Sequence, residues 1–106
     1  MGLFDFLKQP DINQGVEQYK STTGAVLLDV RTTEEYAEGH IPGGKNIPLH
    51  NIDKTAAIID NKDTPLFVHC LSGGRSRQAA AVLKQMGYTN VTNIGGIADY
   101  HGKVER

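Results

Sequence analysis

Apolar positions along the chain switch repeatedly between a helical period and short continuous runs. Asp11 has the side chain of a helix N-cap, and Ile12, Val16 and Tyr19 then fall at i, i+4 and i+7. That spacing predicts a short amphipathic helix. Residues 25–30 (AVLLDV) are apolar on both faces, the pattern of a central parallel strand covered on both sides. Thr32 or Thr33 is placed to cap a short helix that runs through Glu38 and stops at Gly39. Residues 45–49 read as a short strand between Pro42-Gly43-Gly44 and Pro48. Ile52, Ala56 and Ile59 mark another helix, ending near Asn61, and residues 66–68 form a second buried strand. A further helix opens at Arg75 or Ser76, with Ala79, Val82, Leu83 and Met86 on one face and Gly87 at its end. Residues 91–94 give a last strand, followed by Gly95-Gly96 and a short helical tail.

Strands alternating with helices imply right-handed crossovers and a parallel sheet with helices on both faces. In such sheets ligands bind beyond the carboxyl ends of the strands. Cys70 stands at one of those ends.

Composition narrows the function classes. The chain has 106 residues, the length of one domain, and its formal net charge is −1. A near-neutral total argues against nucleic-acid binding through a broad basic surface. No stretch approaches the ~20 apolar residues that span a bilayer. Cys70 is the lone cysteine, so neither an intrachain disulfide nor a CxxC metal or redox pair can form. Residues 1–9 lack the basic start and long apolar run of a secretory leader. A reduced thiol in the cytoplasm is the expected setting. Residues 1–10 read as an N-terminal extension and 11–106 as a single domain. Within the extension, Leu3, Phe4, Phe6 and Leu7 are too few for a stable helix, so packing or fraying is expected. Charge is uneven along the chain: residues 1–65 carry six basic and ten acidic side chains, residues 66–106 five and two. The cysteine lies in the positive half, which favours an anionic sulfur and anionic ligands.

The densest chemistry is in residues 70–76, Cys70-Leu71-Ser72-Gly73-Gly74-Arg75-Ser76. A thiol attacks well only as a thiolate, and an ordinary cysteine is a few per cent ionised at neutral pH. A cysteine between a strand end and a helix start faces N–H groups that no intrahelical carbonyl satisfies. The helix dipole adds the equivalent of about half a positive charge. Gly73 and Gly74 let the loop curl its amides around the sulfur, making an anion cradle from backbone. Arg75 offers a planar fork of donors for an oxyanion. Ser76 either caps the helix or donates to the ligand, and Arg77 reads as a solvated charge.

At these residues the chain resembles the rhodanese family of sulfurtransferases in its small single-domain form. The family's active loop, Cys-x-x-Gly-x-Arg-Ser, is matched by Cys70, Gly73, Arg75 and Ser76. An upstream signature is matched by Asp29-Val30-Arg31, Glu35-Tyr36, Gly39-His40-Ile41-Pro42-Gly43 and Asn46-Ile47-Pro48. A downstream one is matched by Asn93-Ile94-Gly95-Gly96-Ile97; Tyr100 stands where the family often has Trp. The resemblance implies an α/β fold with a five-stranded, mainly parallel sheet and helices on both faces. It also implies that Cys70 takes a sulfane sulfur from an anionic donor such as thiosulfate, becomes a persulfide, and passes the sulfur to cyanide, a thiol or a relay protein. The amides of Leu71, Ser72, Gly73, Gly74, Arg75 and Ser76 would hold the persulfide, and Arg75 would help bind the donor. No metal or organic cofactor is implied, and no nucleic acid or membrane partner.

Two rivals share parts of this pattern. Cysteine phosphatases and arsenate reductases also use a Cys…Arg loop, but phosphatases place one residue more between the two than the four found here, Leu71 to Gly74. Rhodanese-like domains also serve as non-catalytic binding modules, typically without the cysteine. Asp29 and Arg31 read as structural, with Arg31 free to pair with Glu35 or Asp29. His40 reads as a hydrogen-bonded loop residue. His69 should point away from Cys70 by strand alternation. His50 and His101 have no motif around them.

Overall fold

Each buried strand is apolar on both sides, so it needs a neighbour at each edge and helices above and below. The computed structural model describes residues 10–106; the packing or fraying expected of residues 3–7 therefore lies outside the described residues. The strands are β1 (Val26–Asp29), β2 (Lys45–Asn46), β3 (Leu66–Cys70) and β4 (Val91–Gly96). The helices are α1 (Ile12–Ser21), α2 (Thr33–Glu38), α3 (Thr55–Ile58) and α4 (Gly74–Gln85). The sheet order is β2-β1-β3-β4, and all three pairings are parallel.

The sheet thus has four strands among the described residues, not the five that the resemblance implies. The sequence holds no fifth apolar run to bury, and the remaining β pairing is an isolated antiparallel bridge between His40 and Glu105. β2 is also shorter than the expected 45–49. Ile47 and Leu49 still donate to the Asp29 and Val30 carbonyls, each at 3.0 Å, but Pro48 between them has no amide to give. The chain then turns into a 3-10 helix, Leu49–Lys54, where the apolar spacing predicted an α-helix. Asn51 leaves helical geometry there (φ −115°, ψ 18°), so regular helix begins only at α3.

Strand alternation sorts the core into two layers. Leu28, Val30, Val68 and Cys70 face Ala79 and Leu83 of α4, together with Ile52 and Ile59. On the other side Leu27 and Phe67 pack against Ile12 and Val16 of α1, with Ile94. Helices therefore cover both faces. Cys70 lies on the α4 side, and the same alternation sends His69 to the other.

Local capping fixes the short helices. Asp11 accepts the Asn13 amide at 3.0 Å and starts α1. Thr32, not Thr33, caps α2, and Glu35 completes a capping box: the Thr32 hydroxyl accepts the Glu35 amide at 3.2 Å, and Glu35 Oε1 accepts the Thr32 amide at 3.0 Å.

The carboxyl end of β1 is tied by a buried ion pair. Arg31 chooses Asp29, not Glu35: Nη2 lies 2.7 Å from Asp29 Oδ2, and Nε 3.0 Å from Oδ1. Nη2 also donates to the Gly39 carbonyl at 2.8 Å, which holds the end of α2 against the sheet. Both side chains are nearly inaccessible to water. Removing one partner of such a pair leaves a buried charge uncompensated. Asp29→Ala is expected to cost about 3–5 kcal/mol of folding stability, read by urea denaturation. An unchanged unfolding midpoint would mean that Arg31 finds another partner.

Candidate active site

β3 runs straight into the cysteine, and all five of its residues are buried. The chain leaves the sheet at Leu71 and re-enters regular structure at Gly74, the first residue of α4. Gly73 is the N-cap with φ 103°, a backbone region that a side chain would strain. This turn brings the Gly73 amide back onto Cys70 Sγ, which accepts from it at 3.0 Å. The whole residue is 1% exposed, yet the sulfur is turned toward the loop and its donors.

Burial pushes the Cys70 thiol up, because desolvation disfavours its charged form. The Ser76 hydroxyl and the amides of Ser76, Gly73 and Ser72 oppose this and prevail, so the thiol lies below its ordinary value of 9.0. Ser76 has one proton to give. Its shortest acceptor is Asn93 Oδ1 at 2.7 Å, ahead of the Gly73 carbonyl at 3.1 Å and the Gly95 carbonyl at 3.4 Å. The backbone amides are therefore the donors that the sulfur keeps without competition. Ser76 is buried and ties the first turn of α4 to β4.

β4 is shaped to receive this loop. Its register against β3 shifts between Val68 and His69, where Ile94 is the extra residue of a bulge. The shift brings Gly96 opposite Cys70. The loop crosses so close above Gly96 that a methyl group there would overlap the Leu71 carbonyl and Ser72 Cα. Just beyond, the Ala98 amide donates to the Leu71 carbonyl at 3.0 Å. Sequence reading matched the paired glycines 95 and 96 to a signature, but the close approach at Gly96 is a tertiary fact.

The Arg75 fork, expected from sequence to serve an oxyanion of the donor, has a carboxylate partner within the protein. Its two terminal nitrogens grip Glu35, Nη1 to Oε1 at 2.7 Å and Nη2 to Oε2 at 3.0 Å. The guanidinium, aided by the Thr32 amide and against the effect of burial, lowers the Glu35 carboxyl to about 2. Glu35 and Asn93 are the partners that sequence reasoning missed. Thr32 followed three residues later by Glu35 was the available sign that this carboxylate is held in place.

His69 sits on the far side of the sheet, fully buried, with Nδ1 3.2 Å from the Cys70 carbonyl. Burial pushes its imidazole below the usual range despite the attraction of Asp29, which favours the uncharged ring. Its Nε2 is 3.8 Å from Asp29 Oδ2, too far for a hydrogen bond, and among the described residues no other partner reaches it. His40 stacks on Tyr36 with centroids 3.8 Å apart, and its Nδ1 is 3.0 Å from the Tyr36 carbonyl. No helix among the described residues is long and apolar enough to cross a membrane.

This combination of fold and loop has relatives. A family model for the rhodanese-like domain matches residues 12–103. The thiosulfate sulfurtransferase PspE of Escherichia coli is 40% identical over 73 residues, covering 68% of this chain and 70% of that protein. The putative sulfur carrier protein YrkF of Bacillus subtilis is 41% identical over 80 residues, 74% of this chain. The match covers only 43% of YrkF, so the chain spans less than half of that relative. Among solved structures, a rhodanese with anions from E. coli matches with a TM-score of 0.72 at 35% identity, covering 77% of this chain and 98% of the other. With the family's match running through both the cysteine loop and the strands that hold it, the chain belongs to the rhodanese-like domain family.

Proposed function

We propose that the chain is a sulfurtransferase that moves a sulfane sulfur from thiosulfate or a similar donor, through a persulfide on Cys70, to a thiophilic acceptor. The observation that carries this reading is the sulfur at a strand end, accepting the Gly73 amide at 3.0 Å within a loop of backbone donors. The Cys70 thiolate attacks the outer sulfur of thiosulfate. A new S–S bond forms, the old one breaks, and its electron pair leaves with sulfite. Cyanide, or a thiolate on a small molecule or a relay protein, then takes the outer sulfur of the persulfide, and the electron pair of the broken bond returns to Cys70. The amides of residues 71–76 stabilise the anion at each stage. Arg75 holds Glu35 with both terminal nitrogens, so the donor anion relies chiefly on the backbone amides. Neither step calls for a metal or an organic cofactor. The names of the PspE and YrkF relatives support this class of chemistry. A reducing compartment such as the cytoplasm suits a lone nucleophilic thiol.

The phosphatase reading gains no support here. The four-residue loop is short, and both terminal nitrogens of Arg75 are already committed to Glu35. A purely non-catalytic module leaves unexplained a sulfur set at the strand end with the Gly73 amide on it at 3.0 Å.

Thiosulfate treatment is expected to add one sulfur atom to the intact mass, and cyanide to remove it as thiocyanate. Cys70→Ser should abolish both while keeping the fold. Wild-type turnover in that variant would remove Cys70 from the mechanism.

The pH dependence follows from the donors around the sulfur. The rate of persulfide formation should rise with pH and level off below the ordinary thiol value of 9.0. Ser76→Ala should leave that midpoint close to the parent's, since the hydroxyl's one proton goes to Asn93 Oδ1 and the amides keep the sulfur. A stopped-flow midpoint that moves clearly upward in the variant would contradict this.

The Glu35–Arg75 pair gives an acid limb. A carboxyl lowered from 4.5 to about 2 in the folded state stabilises the fold above 4.5 and loses that contribution as pH falls toward 2. The difference in urea midpoint between the parent protein and Glu35→Gln should shrink across that window. A gap that stays constant down to pH 2 would show that the carboxylate charge is not what stabilises.

A further inference from the structure

Three large hydrophobic side chains are exposed among the described residues: Ile58, Leu71 and Val104. Two of them, Leu71 at 44% and Val104 at 47% exposure, line one cavity. The cavity measures about 310 Å³, and its other walls are Arg31, Glu35, Glu38 and Gly39. It flanks the cysteine loop. Leu71 follows Cys70 directly, and Glu35 holds Arg75. Two of the three charged groups in its wall are spent, Arg31 on Asp29 and Glu35 on Arg75, while Glu38 is exposed. What the cavity offers a visitor is two apolar lips with the Glu38 carboxylate at the rim, a preference for an acceptor whose body is apolar and uncharged.

Val104 owes its place to the backbone around it. The Glu105 amide donates to the His40 carbonyl at 2.9 Å, and the His40 amide returns a bond to the Glu105 carbonyl at 2.8 Å. Arg106 Nε donates to the Glu38 carbonyl at 3.0 Å. These bonds fasten the 104–106 segment across the end of α2. Val104 itself lies one residue past the 12–103 span that the family model matches.

We infer that this cavity is an acceptor subsite for low-molecular-weight thiols with an apolar body, and that Val104 is a specificity-determining residue for them. The inference rests on the sulfur-transfer reading of Cys70. An aliphatic thiol lies between Leu71 and Val104 with its thiolate toward the loop. The thiolate forms a bond to the outer persulfide sulfur, the bond to Cys70 breaks, and the electron pair stays on Cys70 as thiolate. The products are an alkyl persulfide and the resting enzyme. Cyanide is too small to need the apolar lips.

The test uses thiosulfate as donor, with sulfite release as the readout for 1-propanethiol and thiocyanate for cyanide. Val104→Ser should raise the KM for 1-propanethiol by about three- to tenfold, the scale of one or two lost methylene contacts, and leave cyanide turnover unchanged. Val104→Trp should fill the cavity and depress 1-propanethiol turnover, again with cyanide unaffected. An unchanged 1-propanethiol KM in both variants, with normal cyanide turnover, overturns the subsite and spares the sulfur-transfer reading. Failure of the parent protein to form thiocyanate overturns that reading and the subsite with it.

Discussion

The fold brings the Cys70 sulfur to a strand end where a backbone amide of the following loop turns back onto it. Such amides are ready to hand where a strand ends and a helix begins within a few residues. β3 must therefore stay buried to its last residue, and α4 must start at Gly74. Gly73 supplies the left-handed turn that swings its own amide back onto Cys70. Burial alone would raise the thiol; the surrounding donors reverse the sign. That reversal depends on the loop being held still, because amides that wander lose the directionality on which the effect rests.

The loop is pinned from two sides. On the β4 side the bulge at Ile94 brings Gly96 beneath it, Ser76 bonds to Asn93, and the Leu71 carbonyl takes the Ala98 amide. On the α2 side the bidentate Glu35–Arg75 pair reaches across from a helix fixed by its own capping box. Beneath α2, the buried Asp29–Arg31 pair clamps the Gly39 carbonyl. Each of these groups meets its partner inside the protein, so the positions are set before any substrate arrives.

Much of this was legible in the sequence. Apolar runs at 25–30 and 66–68 located the two central strands, and the spacing of Ala79, Val82, Leu83 and Met86 located α4. Strand alternation placed Cys70 and His69 on opposite faces, as found. What could not be read depends on distance in space. Nothing local says that Glu35 will meet Arg75, forty residues away, or that Asn93 will meet Ser76. The region from 45 to 59 is less regular than its apolar spacing suggests: the expected 45–49 strand runs past the Pro48 that bounds it, and nothing in the spacing marks Asn51 leaving helical geometry. The fifth strand came from the resemblance alone, with no apolar run behind it.

Because the donors nearest the sulfur are main-chain amides, the side chains at 71 and 72 carry little of the anion's stabilisation. They are free to change while the peptide groups beneath them stay as they are. Selectivity and reactivity in this loop are thus written in different atoms. A lineage can alter what the site accepts by exchanging residues there, without retuning the nucleophile each time.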